Sequence, residues 1–494
     1  MKFTLGWLKS HLDTTASLKE ITDRLTAIGL ELEGVADPAA KLAPFTVAYV
    51  VEAKRHPDAD RLQVCIVDTG KEKVQVVCGA PNARTGMKGV FAPAGSFIPG
   101  PGIQLKAGNI RGQASNGMLV SMREMGLGND HDGIIEMPAD TPLGVPFAKV
   151  LGRDDPMIEI AITPNRADCL GVHGIARDLA ASGLGTLRAP VATTVAGKFK
   201  SPVGVSFDFP ADAQNACPLF VGRYIRGVKN GPSPAWLKQR LEAVGLRSIS
   251  TLVDITNFFT LDLNRPLHVF DADTLAGSLV VRLARAGESL LALDGKSYTF
   301  AGGETVICDN DGVLSLGGVM GGESSGCSDR TVNVYLEVAL FDPVRTAATG
   351  RRLQILSDAR YRFERGLDPA FVMPGMEAAT AMILELCGGE ASEPVVTGKV
   401  PEWRREYALR PERINTLGGL DIPLGEAERI LGSLGFETRR RDSQLAVTPP
   451  PWRGDVHGEA DLVEEVARIS GFDKIPAVPL PPVATLPQIG RAHV

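Results

Sequence analysis

Five polar side chains of complementary chemistry lie in three separated stretches of this 494-residue chain. Arg247, Asn257 and His268 fall in RSISTLVDITNFFTLDLNRPLH, Glu337 ends the glycine-rich GGVMGGESSGCSDRTVNVYLE, and Ser357 opens SDARYRFER. They offer a cation, an amide, an imidazole, a carboxylate and a hydroxyl. Gly317, Gly318, Gly321 and Gly322 lack a Cβ and let a ligand come close to the backbone. In each stretch the polar groups interrupt apolar, strand-like runs, so they are expected on stiff elements. Together they read as a polar ligand pocket. Singly, each has a structural reading: a satisfied core histidine, a paired strand-end carboxylate, a tight glycine turn.

The elements that must hold such a pocket follow from size and pattern. A chain of 494 residues exceeds one hydrophobic core, so three to five domains are expected. Its 44% hydrophobic and 22% charged content is that of a globular protein. Seven scattered cysteines without a CxxC pair argue against a disulfide framework or zinc site and for a reducing, cytoplasmic setting. His11 and Asp13 cut off any signal-peptide core, and no run of 18 apolar residues is present, so no membrane partner is expected. Net charge is −6, yet residues 44–128 carry ten Lys/Arg against six Asp/Glu. Further basic knots stand at Arg404–Arg405 and Arg439–Arg441. Such patches hold phosphates or are simply solvated faces.

Residues 17–29 read as a helix with a Ser17–Glu20 capping box and a Gly29 stop. From Phe45, short alternating strands punctuated by Gly, Asn and Pro suggest a small closed barrel whose basic face tracks a phosphate backbone. Residues 201–398 read as mixed α/β, with a late apolar helix stopped at Gly388–Gly389. Pro423 starts a helix lined by Leu424, Ala427, Leu431 and Leu434; strands ETRRR and LAVTP follow, then a helix from about Glu459 to Ser470. On that last helix Asp461, Glu464 and Glu465 fall within about 100° of one another, and like charges so close repel. Asp455 on the preceding loop would complete an oxygen cage for Mg²⁺, a hard cation. The alternative is a Glu464–Arg468 pair at i,i+4 with acids favouring the helix dipole.

The strings TLVDITNFFTLDLNRPLHVFDADTL, LGGVMGGESSG, SDARYRFERGLDP, HPDADRLQVCIVDTG, VVCGAPNA and NIRGQASNGML resemble the beta subunits of bacterial phenylalanyl-tRNA synthetase, over essentially the whole chain. The resemblance implies a multidomain α+β architecture. An N-terminal domain is split (1–38 and 151–200) by an inserted oligonucleotide-binding barrel (39–150) that binds tRNA(Phe). An editing domain (201–398), a winged-helix-like module (399–476) and a proline-rich tail (477–494) follow. It implies an alpha2beta2 heterotetramer in which the alpha subunit uses ATP to make the ester, and the absence of a GxxxxGK[ST] loop here agrees with that. The chain then supplies tRNA binding and hydrolysis of tyrosyl-tRNA(Phe). His268, Glu337 and Asn257 are implied at the reaction, with Arg247, Thr256, Gly321, Ser357 and Ala359 around the substrate. Glu337 accepts from the tyrosine hydroxyl, His268 and Asn257 position water, Arg247 holds the tRNA end, and Ala359 leaves room for the ring. The resemblance also puts magnesium on Asp455, Asp461, Glu464 and Glu465 at the alpha-subunit contact. Family members continue with further domains, so the chain reads as C-terminally truncated, its final IGRAHV an assembly artefact. A free-standing mischarged-tRNA hydrolase and a non-catalytic RNA-binding scaffold are the alternatives.

Overall fold

The computed structural model of the protein describes residues 1–128, 130, 132–189 and 194–479. The expected tail from 480 onward lies outside the described residues. The chain forms two compact units, one of Lys2–Gly6 with Gly34–Glu159, the other of Met1, Trp7–Glu33 and everything from Ile160.

In the first unit β1 (Thr46–His56), β2 (Ala59–Asp68), β3 (Lys73–Cys78), β4 (Lys88–Pro93) and β5 (Gly117–Leu119) form an antiparallel sheet in the order β5-β4-β1-β2-β3, with β6 (Glu136–Met137) beside β4. Alternate residues Ala48, Val50, Cys65, Val67, Val76 and Cys78 gather in one core, the period-2 signature of a half-buried sheet. The sheet curls until its ends approach. Asn116 N–H donates to the Gln75 carbonyl at 2.9 Å, and Val77 N–H to Ser115 Oγ at 3.1 Å. The barrel is nearly closed.

The second unit opens with α1 (Leu18–Ala27). Its capping box is formed: Ser17 Oγ accepts from Glu20 N–H at 3.3 Å and Glu20 Oε2 accepts from Ser17 N–H at 2.8 Å. After α2 (Val172–Ala181) come β7 (Val205–Asp208), β8 (Leu219–Arg226), α3 (Thr251–Asp262), β9 (His268–Asp271), β10 (Leu279–Leu283), β11 (Thr305–Cys308), β12 (Val313–Leu316), β13 (Met320–Gly321), β14 (Asn333–Leu340), α4 (Asp358–Phe363), α5 (Val372–Cys387), β15 (Glu390–Ala391) and β16 (Val395–Gly398). Strands β9, β14, β8 and β15 lie side by side in an antiparallel sheet, with β16 also on β8; β7, β10, β11, β12 and β13 make a second sheet. Phe220, Phe270, Tyr335 and Ala339 of the first meet Leu279, Val281, Ile307 and Leu314 of the second in one core.

Two stretches expected to be strand-like are helices. Thr251–Asp262 is α3, with Leu252, Ile255, Phe258 and Phe259 buried at helical spacing. SDARYRFER is α4 behind a Ser357 cap. Aromatic and β-branched density favours strands only weakly, and packing decided otherwise. The helix Pro369–Cys387, which contains α5, is long and apolar enough by composition alone to cross a membrane, although Glu377 and Glu385 interrupt any apolar run. Val372, Met376, Ala379 and Ile383 are buried in it, and α5 packs on β14 and β8.

The last module holds β17 (Tyr407–Leu409), α6 (Pro411–Gly418), α7 (Leu424–Ser433), β18 (Glu437–Arg441), β19 (Gln444–Thr448) and α8 (Glu459–Ser470), with strand order β17-β19-β18. Strand β17 and helix α6 add to the helix, two strands and helix expected from the sequence pattern. The basic knots are partly paired: Arg440 meets Glu428 at 2.9 Å, Arg439 and Arg441 share Glu406 at 3.2 and 2.9 Å, and Arg404 meets Glu437 at 3.0 Å, while Arg405 bonds to carbonyls and His457.

Candidate functional site

Strand register builds the site. His268 on β9 stands directly opposite Glu337 on β14, and Glu337 directly opposite Gly222 on β8. Opposed residues point to the same face, so Gly222, Glu337 and His268 form one row across three strands. Tyr224, Tyr335 and Phe270 form the next. The His268 imidazole meets the Phe270 ring edge-on at 4.4 Å.

Both members of the pair sit with polar atoms sealed from water. Glu337 is buried and His268 half-buried, yet Glu337 Oε2 and His268 Nε2 have no hydrogen-bond partner. Burial pushes the Glu337 carboxyl up to about 8 and the His268 imidazole down to about 4. Near pH 7 the empty site therefore holds a protonated acid beside a neutral imidazole. The carboxyl can donate through its O–H as well as accept through its carbonyl, a broader role than acceptor alone.

Gly321 on β13 lies against this row, and a Cβ there would collide with the His268 ring and Leu293. Ser357 adjoins through the backbone: its Oγ donates to the Val319 carbonyl at 2.6 Å and accepts from Arg360 N–H at 3.1 Å. Ala359 is half-buried and packs on the core that includes Tyr335 and Phe363. The hydroxyl of Ser357 is thus engaged in capping α4. Ser357→Ala is expected to cost about 1 kcal/mol of stability, read as a lowered urea midpoint; an unchanged midpoint would show the cap to be idle. A cavity of about 310 Å³ is lined by Leu356, Ser357, Asp358, Arg360, Tyr361 and Glu364, and neither His268 nor Glu337 lines it.

The remaining residues stand apart. Thr256 turns its hydroxyl back to the Val253 carbonyl at 2.7 Å, and Asn257 is half-buried on the same helix, α3, which packs against β9. Arg247 is exposed in the loop before α3. None of these three bonds to His268 or Glu337 among the described residues.

On the acidic helix, Glu459 and Asp461 stand in the first turn as the dipole favours, but the expected Glu464–Arg468 pair is not formed. Asp455 gives both oxygens to Arg453 at 2.9 and 2.7 Å. Glu465, about 1% exposed, is gripped by Arg453 and by Arg468, the latter at 2.7 and 2.6 Å. Arg468 therefore pairs at i,i+3 and not with Glu464, and it continues to Asp178 on α2 at 2.8 Å. Arg166 bridges Asp178 at 2.7 Å and Asp168 at 3.0 Å, and Arg177 meets Asp168 at 3.2 Å. Asp455, Arg453, Glu465, Arg468, Asp178, Arg166, Asp168 and Arg177 thus form a chain of alternating charge. Asp461 Oδ2 accepts from His457 N–H at 2.7 Å and Gly458 N–H at 3.0 Å, and Glu464 is exposed. The four carboxylates fit a cation only in part, because guanidinium groups already fill Asp455 and Glu465. Among the described residues only Asp168, Cys169 and Asp178 bring metal-ligand atoms within 4.8 Å of one another, and Arg166 already binds there.

Family models match three segments: a tRNA binding domain over 45–146, a B3/4 domain over 216–388 and a tRNA synthetase B5 domain over 407–472. The chain is 57% identical over 481 residues to the phenylalanine–tRNA ligase beta subunit of Paramagnetospirillum magneticum, covering 97% of this chain and 60% of that protein. The subunit of Rhodospirillum rubrum is 58% identical over 483 residues, with the same coverage of 97% and 60%. The chain belongs to the phenylalanine–tRNA ligase beta-subunit family. It spans about 60% of the length of these family members. Among solved structures, an N-terminal fragment of the phenylalanyl-tRNA synthetase beta-subunit from Pyrococcus horikoshii is 16% identical, covering 64% of this chain and 88% of the fragment at a TM-score of 0.35. Within the family frame, His268 and Glu337 fall inside the B3/4 segment, and Arg453, Asp455, Glu465 and Arg468 of the alternating charges inside the B5 segment; the other four lie at 166–178, outside the matched segments.

Proposed function

We propose that this chain acts as the beta subunit of a phenylalanine–tRNA ligase complex, which joins L-phenylalanine to tRNA(Phe) with ATP, and that it supplies tRNA binding and hydrolytic editing of tyrosyl-tRNA(Phe). The observation that carries the editing reading is the opposed His268–Glu337 pair across β9 and β14, with His268 Nε2 and Glu337 Oε2 both shut from water and without a hydrogen-bond partner. Glu337 meets the tyrosine hydroxyl. A site built to hydrogen-bond a hydroxyl discriminates far better than an apolar pocket can reject one, because a phenylalanyl ester, lacking the hydroxyl, would leave the site's buried polar groups unpaired. The neutral imidazole of His268 positions water against the ester carbonyl, and Asn257 and Thr256, which stand apart from the pair, act on the substrate from the neighbouring helix α3. Water adds to the carbonyl carbon, the bond to the ribose oxygen breaks, and that oxygen takes up the proton. Exposed Arg247 holds the tRNA end, while Gly321, Ser357 and Ala359 leave room for the ring.

The nearly closed barrel, with ten Lys/Arg against six Asp/Glu in 44–128, supports tRNA binding there. Synthesis belongs to the alpha subunit, in an alpha2beta2 assembly in the cytoplasm. Magnesium shared with that subunit is part of the proposal; Asp461 and Glu464 would hold it, whereas Asp455 would first have to leave Arg453, and Glu465 both Arg453 and Arg468. When bound, it would fix the subunit interface.

The test presents the assembled enzyme, beta with alpha, with tyrosyl-tRNA(Phe). His268→Ala and Glu337→Ala are each expected to slow release of tyrosine by about a hundredfold. Parent-level release by both variants removes the editing assignment and leaves the RNA-binding scaffold. Full editing by the beta chain without alpha favours the free-standing hydrolase.

A further inference from the structure

The row that holds Glu337 has a second neighbour, on the side away from His268. Gly222 occupies that place and has no side chain. The space is taken by Tyr335, two residues before Glu337 on β14 and on the same face. Its hydroxyl overhangs Gly222 so closely that a Cβ there would overlap the phenol oxygen and ring. The Tyr335 ring is fully buried in the core with Phe270 and Ala339, so its direction is fixed by packing. Its hydroxyl nevertheless has no hydrogen-bond partner, and neither has Glu337 Oε2. Two orphaned polar atoms in one buried site are uncommon in a settled core and call for a reason.

We propose that Tyr335 is a positioning residue for Glu337: its hydroxyl donates to Glu337 Oε2 when the pocket fills, leaving the other carboxyl oxygen aimed at the incoming phenol. The inference rests on the editing reading given above. Apo sites commonly hold such bonds open and close them in the substrate complex. Gly222 is required because any side chain would displace the hydroxyl from beside Glu337. The titratable groups facing the carboxyl are His268 from β9, Tyr335 from β14 and Cys217 from the loop before β8. The proximity of the last two also shows in their own titration, since Glu337 adds to the burial that raises both. A donated bond would favour the ionised carboxylate and so bring its titration back toward the ordinary range.

The test is Tyr335→Phe in the assembled enzyme, a change that keeps the ring and removes only the oxygen. Deacylation of tyrosyl-tRNA(Phe) is expected to fall about three- to tenfold in kcat/KM, and the pH at which it is half-maximal is expected to move upward. A purely structural role would leave that pH profile in place. In the Glu337→Gln background the same substitution is expected to have no further effect on the profile. A Tyr335→Phe enzyme with parental rate and profile overturns the inference, provided Glu337→Ala still slows release as expected above. If Glu337→Ala is also silent, it is the editing reading that has failed. Should Tyr335→Phe destabilise the protein, the Gly222→Ala variant is read in its place by the same pH profile, and a parental profile there overturns the inference equally.

Discussion

Replacing Glu465 by alanine is expected to lower the unfolding free energy by about 3–5 kcal/mol, the usual cost of removing one partner from a buried ion pair. The carboxylate is about 1% exposed and satisfies two guanidinium groups, Arg453 and Arg468. Its loss strands both in the interior, where water cannot replace it. Burial alone would raise this carboxyl, but Arg468 and Arg453 overcome that and hold it well below the usual range. The sign of the pH dependence follows. Stability from Glu465 is complete above the unfolded carboxylate value of about 4.3 and declines as acid titrates the folded group. The deficit of Glu465→Ala should thus be full at pH 7 and shrink on acidification. Glu464→Ala, one residue away and exposed, is expected within about 0.5 kcal/mol of the parent. Urea unfolding of the two variants checks this, and equal midpoints would remove the buried chain of charges as a stabilising feature.

A second large effect is expected at Glu337, with the opposite sign. Its folded value of about 8 lies above the unfolded one, so between them the folded protein holds a proton that the unfolded chain has lost. Stability from this group therefore falls as pH rises, by about 1.4 kcal/mol per unit at most. His268, lowered to about 4, works the other way: the unfolded chain holds the extra proton, and stability rises with pH until about 6.5. The two slopes oppose each other in mild acid, and Glu337 stands alone from about pH 6.5 to 8. Glu337→Gln cannot ionise. Relative to the parent it is expected to gain about 3–4 kcal/mol between pH 5 and pH 8. Urea midpoints at the two pH values measure the change. Parallel behaviour would mean that the carboxyl stays ionised in the fold. A gain in stability at the expense of discrimination is the ordinary pattern for a binding residue kept in an unfavourable setting.

Local signals in the sequence were read well where the chain itself decides the outcome. Ser17 and Glu20 specify a cap within four residues, and the helix Glu459–Ser470 follows its own apolar spacing. The alternation in NVYLEVAL suffices to put Tyr335 on the face of Glu337. What failed was decided at a distance. Thr251–Asp262 carries strand-favouring residues and is a helix because of what it packs against. Arg468 looked like a partner for Glu464 at i,i+4; its true partners are Glu465 and Asp178, 290 residues away in sequence. The adjacency of His268 and Glu337 spans two sheets' worth of intervening chain and no spacing rule reports it; the family resemblance did.

The alternating series from Asp455 to Arg177 has no net charge and no interior member that can be dropped alone. Half of it is encoded before residue 180 and half after residue 450. Drift at these positions must therefore proceed by compensating exchanges. A chimera that borrows its B5 segment from a distant cousin will fold well only if the stretch around 166–178 is transplanted with it.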